Sequence, residues 1–241
     1  MSGFRFKQFE ISQDRCAMKV GTDGVLLGAW ATGGSRILDI GSGTGLVALM
    51  MAQRFPEARV RGVDIDEEAC IQARENTKES PFADRVEIIH TRLQDFGLDA
   101  TGVSREAREK ELFDSIVSNP PFFVGSMKNP DVRRAVARHS DSLPFRELWQ
   151  GVGRLLSEEG VFSVILPAEL VEQFSAEGYV LGFYLVRKCG VRTVGRKAPK
   201  RYLLAYSRQR CSGLEEAVVV MMESDGKRSE WYAKITDEFY L

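Results

Sequence analysis

Short apolar runs alternate with amphipathic stretches along most of this 241-residue chain. Runs rich in Val, Ile, Leu and Phe predict strands at about 36–40, 59–64, 86–90, 113–118, 161–166, 180–188, 201–207 and 216–222. Between them, Leu46 to Gln53 has helical spacing. Asp66, followed by Glu67 and Glu68, reads as the cap of a helix reaching about Lys78. Strand and helix in alternation predict an α/β fold, with a mostly parallel sheet, helices on both faces and ligands at the carboxyl ends of the strands. The shorter connections among the late strands predict an antiparallel edge. One domain over 1–241 is expected, with 1–35 as an N-terminal segment and 99–111 as an exposed, mobile, charged insertion.

Two strand ends carry chemistry. The first is Ile37-Leu38-Asp39-Ile40-Gly41-Ser42-Gly43-Thr44-Gly45, a strand running into a glycine turn and then a helix. Glycines at 41, 43 and 45 let a ligand approach the backbone, and the turn delivers it to a helix N-terminus. A dinucleotide fingerprint needs Gly or Ala at the next position, which Leu46 occupies, so a nicotinamide cofactor is disfavoured. Asp39 suits a cationic group, such as the α-amine of a bound amino acid, better than a pyrophosphate. That points to S-adenosylmethionine. Asp64 ends the next strand, where a carboxylate reaches a ribose diol, although the same residue could merely terminate the strand. Because Asp66 serves as the helix cap, Asp64 is left for a ligand.

The second strand end is Ser118-Asn119-Pro120-Pro121-Phe122. Paired prolines lock φ and withhold two N–H donors, leaving the Pro120 carbonyl as an acceptor beside the Asn119 side-chain oxygen. Together they can accept both hydrogens of an amino group, and the Phe122 ring can stack on a flat amide or nucleobase. Taken alone, the pattern is equally that of a rigid turn with an aromatic tucked into the core.

Charge changes the picture through its distribution. The net charge is −1, yet nine Lys or Arg and no acid lie between Arg187 and Arg210. Such a local field points to phosphate contact, with Arg196, Lys197, Lys200 and Arg201 as the candidates around a basic hairpin loop at 195–200. Arg133 and Arg138 belong to a weaker basic segment that also reads as a solvated face. Cys16, Cys70, Cys189 and Cys211 are far apart and His90 and His139 are unpaired, so no metal site or disulfide framework is expected, and His90 reads as structural. No membrane span and no signal-peptide core is visible, which makes the cytoplasm the expected location; a monomer is the expected state, on which the sequence says little.

The motifs Leu38 to Gly45 and Asn119-Pro120-Pro121-Phe122 resemble the S-adenosylmethionine-dependent amino-methyltransferases. The opening Phe4-Arg5-Phe6-Lys7-Gln8-Phe9, the stretch Asp14 to Trp30 and the terminal Phe239-Tyr240-Leu241 resemble, more specifically, the bacterial tRNA(Val) adenosine-37 N6-methyltransferase family. That resemblance implies a Rossmann-like class I methyltransferase fold with a seven-stranded sheet, S-adenosylmethionine as cofactor and tRNA as partner. It places Lys19, Thr22 and Asp23 at the border of the pocket. It also places Asp39, Gly41, Gly43, Gly45, Asp64, Ile65, Leu93, Asp95 and Asn119 around the cofactor, and Asn119, Pro120 and Phe122 around the amine. Two departures stand out: Phe122 replaces the tyrosine usual after the prolines, and Arg92 stands where an acid near the cofactor adenine is expected, with Asp95 three residues on. A release-factor glutamine methyltransferase would use the same Asn-Pro-Pro logic, but the basic segment and the absence of a helical N-terminal domain before the glycine turn disfavour it. A non-catalytic RNA-binding module is disfavoured by the intact Asp39, Gly41, Asp64 and Asn119.

Overall fold

The computed structural model describes residues 3–16, 19–97, 112–121 and 143–241. Phe122, Arg133, Arg138 and the expected insertion at 99–111 lie outside the described residues.

A small hairpin, β1 (Phe4–Arg5) and β2 (Glu10–Ile11), precedes α1 (Thr22–Trp30). Then follow β3 (Arg36–Ile40), α2 (Leu46–Arg54), β4 (Arg59–Asp64), α3 (Glu67–Glu79), β5 (Val86–His90) and β6 (Phe113–Ser118). The remainder comprises α4 (Phe145–Leu155), β7 (Leu156–Pro167), a 3₁₀ turn, α5 (Val171–Val180), β8 (Tyr184–Val194), β9 (Arg201–Ser207), β10 (Glu215–Met222) and α6 (Glu230–Thr236). The main sheet has eight strands in the order β10-β8-β9-β7-β6-β3-β4-β5. Neighbours from β7 through β5 are parallel, so β3, β4 and β6 end side by side at one edge of the molecule.

Three expectations need correction. The antiparallel strand is not the edge: β9 inserts between β7 and β8, and β10 then adds parallel to β8 as an eighth strand rather than completing a seven-stranded sheet. Residues 180–183 are not strand, because Gly182, at φ +81°, turns the chain out of α5 with main-chain bonds from Leu181, Gly182 and Phe183 back to Gly178 and Tyr179. Finally, β7 begins at Leu156, which pairs with Phe113 before the ladder shifts and resumes at Ser115↔Val161.

Apolar side chains fill both faces of the sheet. One cluster joins α1, α2 and the N-terminal hairpin, and the other gathers Trp149, Phe162, Phe174, Phe183 and Tyr206 under α4 and α5. The N-terminal segment is tied close to the glycine turn. The Asn76 carboxamide on α3 accepts from Ser12 N–H at 2.9 Å and donates to the carbonyls of Ser12 and Thr44, both at 2.9 Å. Among the described residues no helix is long and apolar enough to cross a membrane, and no cluster of three or more His, Cys, Asp or Glu is arranged to hold a metal ion.

Candidate active site

Strand register builds the site. Ile40 of β3 stands opposite Ser118 of β6, whose hydroxyl donates to the Ile40 carbonyl at 2.8 Å, so Gly41 and Asn119 leave the sheet as neighbours. Gly41, Gly43 and Gly45 have φ of +74°, +52° and +81°, a region that side-chain-bearing residues rarely enter. A Cβ on Gly41 or Gly43 would meet nothing within 4 Å, so the positive φ alone demands glycine there, and the backbone is open to a ligand.

The two acids hold this turn. Asp64 Oδ2 accepts from Gly43 N–H at 2.8 Å and Oδ1 from Asp66 N–H at 3.0 Å. Asp66 is the α3 cap, accepting from Glu68 and Ala69 N–H at 3.0 and 3.2 Å, as its sequence context predicts. Asp64 therefore remains off the helix but is not idle, since it braces the loop it would share with a ligand. Burial raises its pKa, against the lowering effect of those main-chain donors.

Asp39 lies deeper. It is 1% exposed, and its Oδ2 accepts from Ala48 N–H at 3.0 Å in the first turn of α2. Its charge thus supports the helix N-terminus directly, from beneath the turn. Burial is the main cause that pushes its carboxyl up to about 7, with the Asp64 charge adding to it and the Ala48 N–H opposing. The folded-state value lies above the unfolded value of about 3.9, so folding takes up a proton between the two. The stabilisation is present at the acid end and is lost as pH rises through about 7. Asp39→Asn should flatten this loss. Melting temperatures of the protein without cofactor, measured from pH 4.5 to 8 for both forms, test it, and parallel profiles would show that Asp39 does not titrate in this window.

Asn119 carries the least ordinary feature of the site. Its Oδ1 is buried with no hydrogen-bond partner among the described residues. An unpaired buried acceptor costs about 1–3 kcal/mol, so the oxygen is open to a donor beyond the described residues. Ser42 Oγ, within the turn, is likewise buried and unpartnered. Pro120 is buried and Pro121 exposed.

The other candidates divide. Ile65 is 38% exposed directly after Asp64 and offers apolar surface, and its carbonyl lies 3.0 Å from His90 Nε2, which gives that histidine a structural task. The Leu93 side chain is 5% exposed and belongs to the core under α4, so it is not available to a ligand. Arg92 and Asp95 are both exposed in the turn after β5, where Asp95 N–H donates to the Arg92 carbonyl at 3.1 Å. Lys19 and Thr22 are exposed ahead of α1 and at its start. A hollow of about 310 Å³ lined by Trp30, Arg54, Arg187 and Trp231 contains none of these residues.

The basic run is less free than its composition suggests. Arg187 and Lys188 pair with Glu215 and Glu216 at 3.2 and 2.7 Å, because β10 lies in register beside β8. Arg208 and Arg210 lie over the rings of Phe183 and Tyr184, and Arg192 donates to the Gly195 carbonyl. Arg201 pairs through Nε with Asp23 at 2.8 Å. Arg196, Lys197 and Lys200 are exposed on the β8–β9 hairpin. Because β8 runs parallel to β6 and β3, this hairpin emerges at the same end of the sheet as the glycine turn. Sequence reasoning missed the Asp23–Arg201 pair, whose members are 178 positions apart.

A mainly parallel sheet with a glycine turn after its first strand, an acid after its second and Asn-Pro-Pro after its fourth has the arrangement of a class I methyltransferase. The Methyltransferase small domain family matches residues 20–143. A predicted O-methyltransferase from Agrobacterium tumefaciens has the same fold, with a TM-score of 0.68 at 18% identity over 90% of this chain and 96% of that one. The chain is 43% identical to the tRNA1(Val) (adenine(37)-N6)-methyltransferase of Bacteroides thetaiotaomicron and 46% identical to that of Phocaeicola vulgatus, covering 99% of this chain and 97% of each relative. It belongs to the tRNA1(Val) (adenine(37)-N6)-methyltransferase family.

Proposed function

We propose that this enzyme transfers a methyl group from S-adenosylmethionine to N6 of adenosine 37 in the anticodon loop of tRNA1(Val). The observation that carries the reading is the buried, unpartnered Asn119 Oδ1 beside an open glycine turn.

The residues present fit the cofactor: Gly41 and Gly43 offer uncovered main chain, Asp64 stands where a diol can be met, and Ile65 supplies an apolar face. When bound, S-adenosylmethionine supplies an electrophilic methyl on sulfur. The chain's own task is to prepare the amine. The lone pair of an exocyclic adenine nitrogen is delocalised into the ring. Hydrogen bonds from its two N–H groups to Asn119 Oδ1 and the Pro120 carbonyl localise that density on nitrogen and fix the direction of attack. Neither a metal nor a nucleophilic side chain is required for this. An anticodon-loop base is already unpaired, so presenting it costs less than extruding one from a duplex. The hairpin carrying Arg196, Lys197 and Lys200 then meets the loop phosphates. The same reading takes the enzyme as a cytoplasmic monomer, because its substrate is a cytoplasmic RNA and one chain carries every site residue named.

Incubation with labelled S-adenosylmethionine, total RNA and total protein tests the reading. Label should enter tRNA as N6-methyladenosine. Label in a protein glutamine instead would move the assignment to the side-chain amide. Asp64→Ala should weaken cofactor binding by at least about 10-fold in titration calorimetry, as expected for losing a charged hydrogen-bond partner and the brace on Gly43. Unchanged affinity would leave Asp64 as a loop brace alone.

A further inference from the structure

Arg201 stands at the base of the basic hairpin, yet its position argues against phosphate contact. Its Nε lies 2.8 Å from Asp23 Oδ2, and the two side chains are only 37% and 28% exposed. A phosphate arriving here would have to displace a carboxylate or sit beside it, and like charges in a half-buried setting repel.

The Asp23 side of the pair leads towards the reaction. Asp23 lies in the first turn of α1, and the cap residue of that helix, Gly21, contributes no side-chain hydrogen bond. The next residue, Gly24, faces the catalytic carboxamide: a Cβ placed on it would lie 3.9 Å from Asn119 Nδ2. Asn119 Oδ1 has no partner among the described residues, so no hydrogen bond within them orients the acceptor, and the near approach of Gly24 to Nδ2, beside Leu46 and Val47, makes the first turn of α1 a neighbour of the carboxamide. On the other side, the hairpin base is held by main-chain bonds. Lys200 N–H donates to the Val191 carbonyl and Ala168 N–H to the Lys200 carbonyl, both at 3.1 Å, while Arg201 itself is in register with Pro167 and Val191.

We infer that Arg201 is a positioning residue: through Asp23 it fixes the first turn of α1 against Asn119 and links the RNA-facing hairpin to the carboxamide that receives the amine. The inference rests on the proposed function for its kinetic consequences but not for its structural one. An error of about 1 Å in the placement of a reacting group is enough to cost up to about 10²-fold in rate.

Two readouts on R201A, D23N and the double variant test it. In tRNA methylation, R201A and D23N should each lower kcat by roughly 10-fold. KM for tRNA should change less than about 2-fold, the salt dependence of tRNA binding should keep its slope, and the double variant should be no slower than the slower single one. In hydrogen exchange followed by mass spectrometry, amides in α1 should exchange on the order of 10-fold faster in R201A than in the unmutated protein, whether or not any RNA is a substrate. R201M, which keeps an unbranched stem but has no donor for Asp23, replaces R201A if the latter loses its cooperative melting. Reductions in kcat that multiply in the double variant, a slope flattened by about one phosphate with kcat kept, or unchanged exchange in α1 would each overturn the positioning role. Absence of methyl transfer by the unmutated protein would instead count against the proposed function, and the exchange measurement would still decide this one.

Discussion

Asn119→Ala should lower kcat by about 10²- to 10³-fold while leaving S-adenosylmethionine affinity within a factor of about two. The carboxamide oxygen is buried and unpartnered among the described residues, so removing it breaks no hydrogen bond within them and costs little stability. The glycine turn and Asp64, proposed to hold the cofactor, are bonded to one another through Gly43 N–H without it. On the proposed function, what disappears is an acceptor whose hydrogen bond strengthens as positive charge develops on the attacking nitrogen. Such a change falls on kcat, not on ground-state binding. Single-turnover kinetics with saturating tRNA, alongside calorimetry for the cofactor, separate the two. A variant that keeps its turnover would remove Asn119 from the reaction and leave Asn-Pro-Pro as a rigid turn.

The second large effect concerns RNA. Replacing Arg196, Lys197 and Lys200 together with Ala should weaken tRNA binding by about 10- to 100-fold near physiological salt. It should also reduce the slope of log K against log salt by about 0.7 to 0.9 for each phosphate no longer neutralised. The three are exposed at the sheet end that carries the active site, whereas Arg187, Lys188 and Arg201 are already paired with Glu215, Glu216 and Asp23. The effect is therefore assigned to three positions rather than nine. Filter binding across a salt series measures it, with cofactor affinity expected to stay unchanged. An unaltered slope would make the hairpin a solvated surface and shift the RNA contact elsewhere.

Much of this was readable because it is local. Apolar runs bounded by turn residues placed β3, β4, β5, β6 and β9 at their observed limits. The glycine spacing with Asp64, and the Asn-Pro-Pro turn, are each written within a few residues of one strand end. What the sequence hid depends on strand order. The acids opposite Arg187 and Lys188 become partners only because β10 passes over β8 and pairs with it, and no local pattern announces that crossing. Likewise Asp39, expected near the cofactor from its acid before the glycines, and Leu93, expected there from family resemblance, have side chains whose surroundings only the fold reveals, the one beneath the turn against α2 and the other in the core. The run 180–183 is apolar enough for a strand, but Gly182 at positive φ closes a helix there instead.

The central claim is that the amine held by Asn119 is N6 of adenosine 37. The most direct measurement is methylation of unmodified tRNA1(Val) transcripts carrying either A37 or G37, followed by nuclease mapping and nucleoside mass spectrometry. The account predicts one N6-methyladenosine per molecule, confined to the fragment containing position 37, and no product from the G37 transcript. Methyl groups on another nucleotide, or equal labelling of both transcripts, would contradict it.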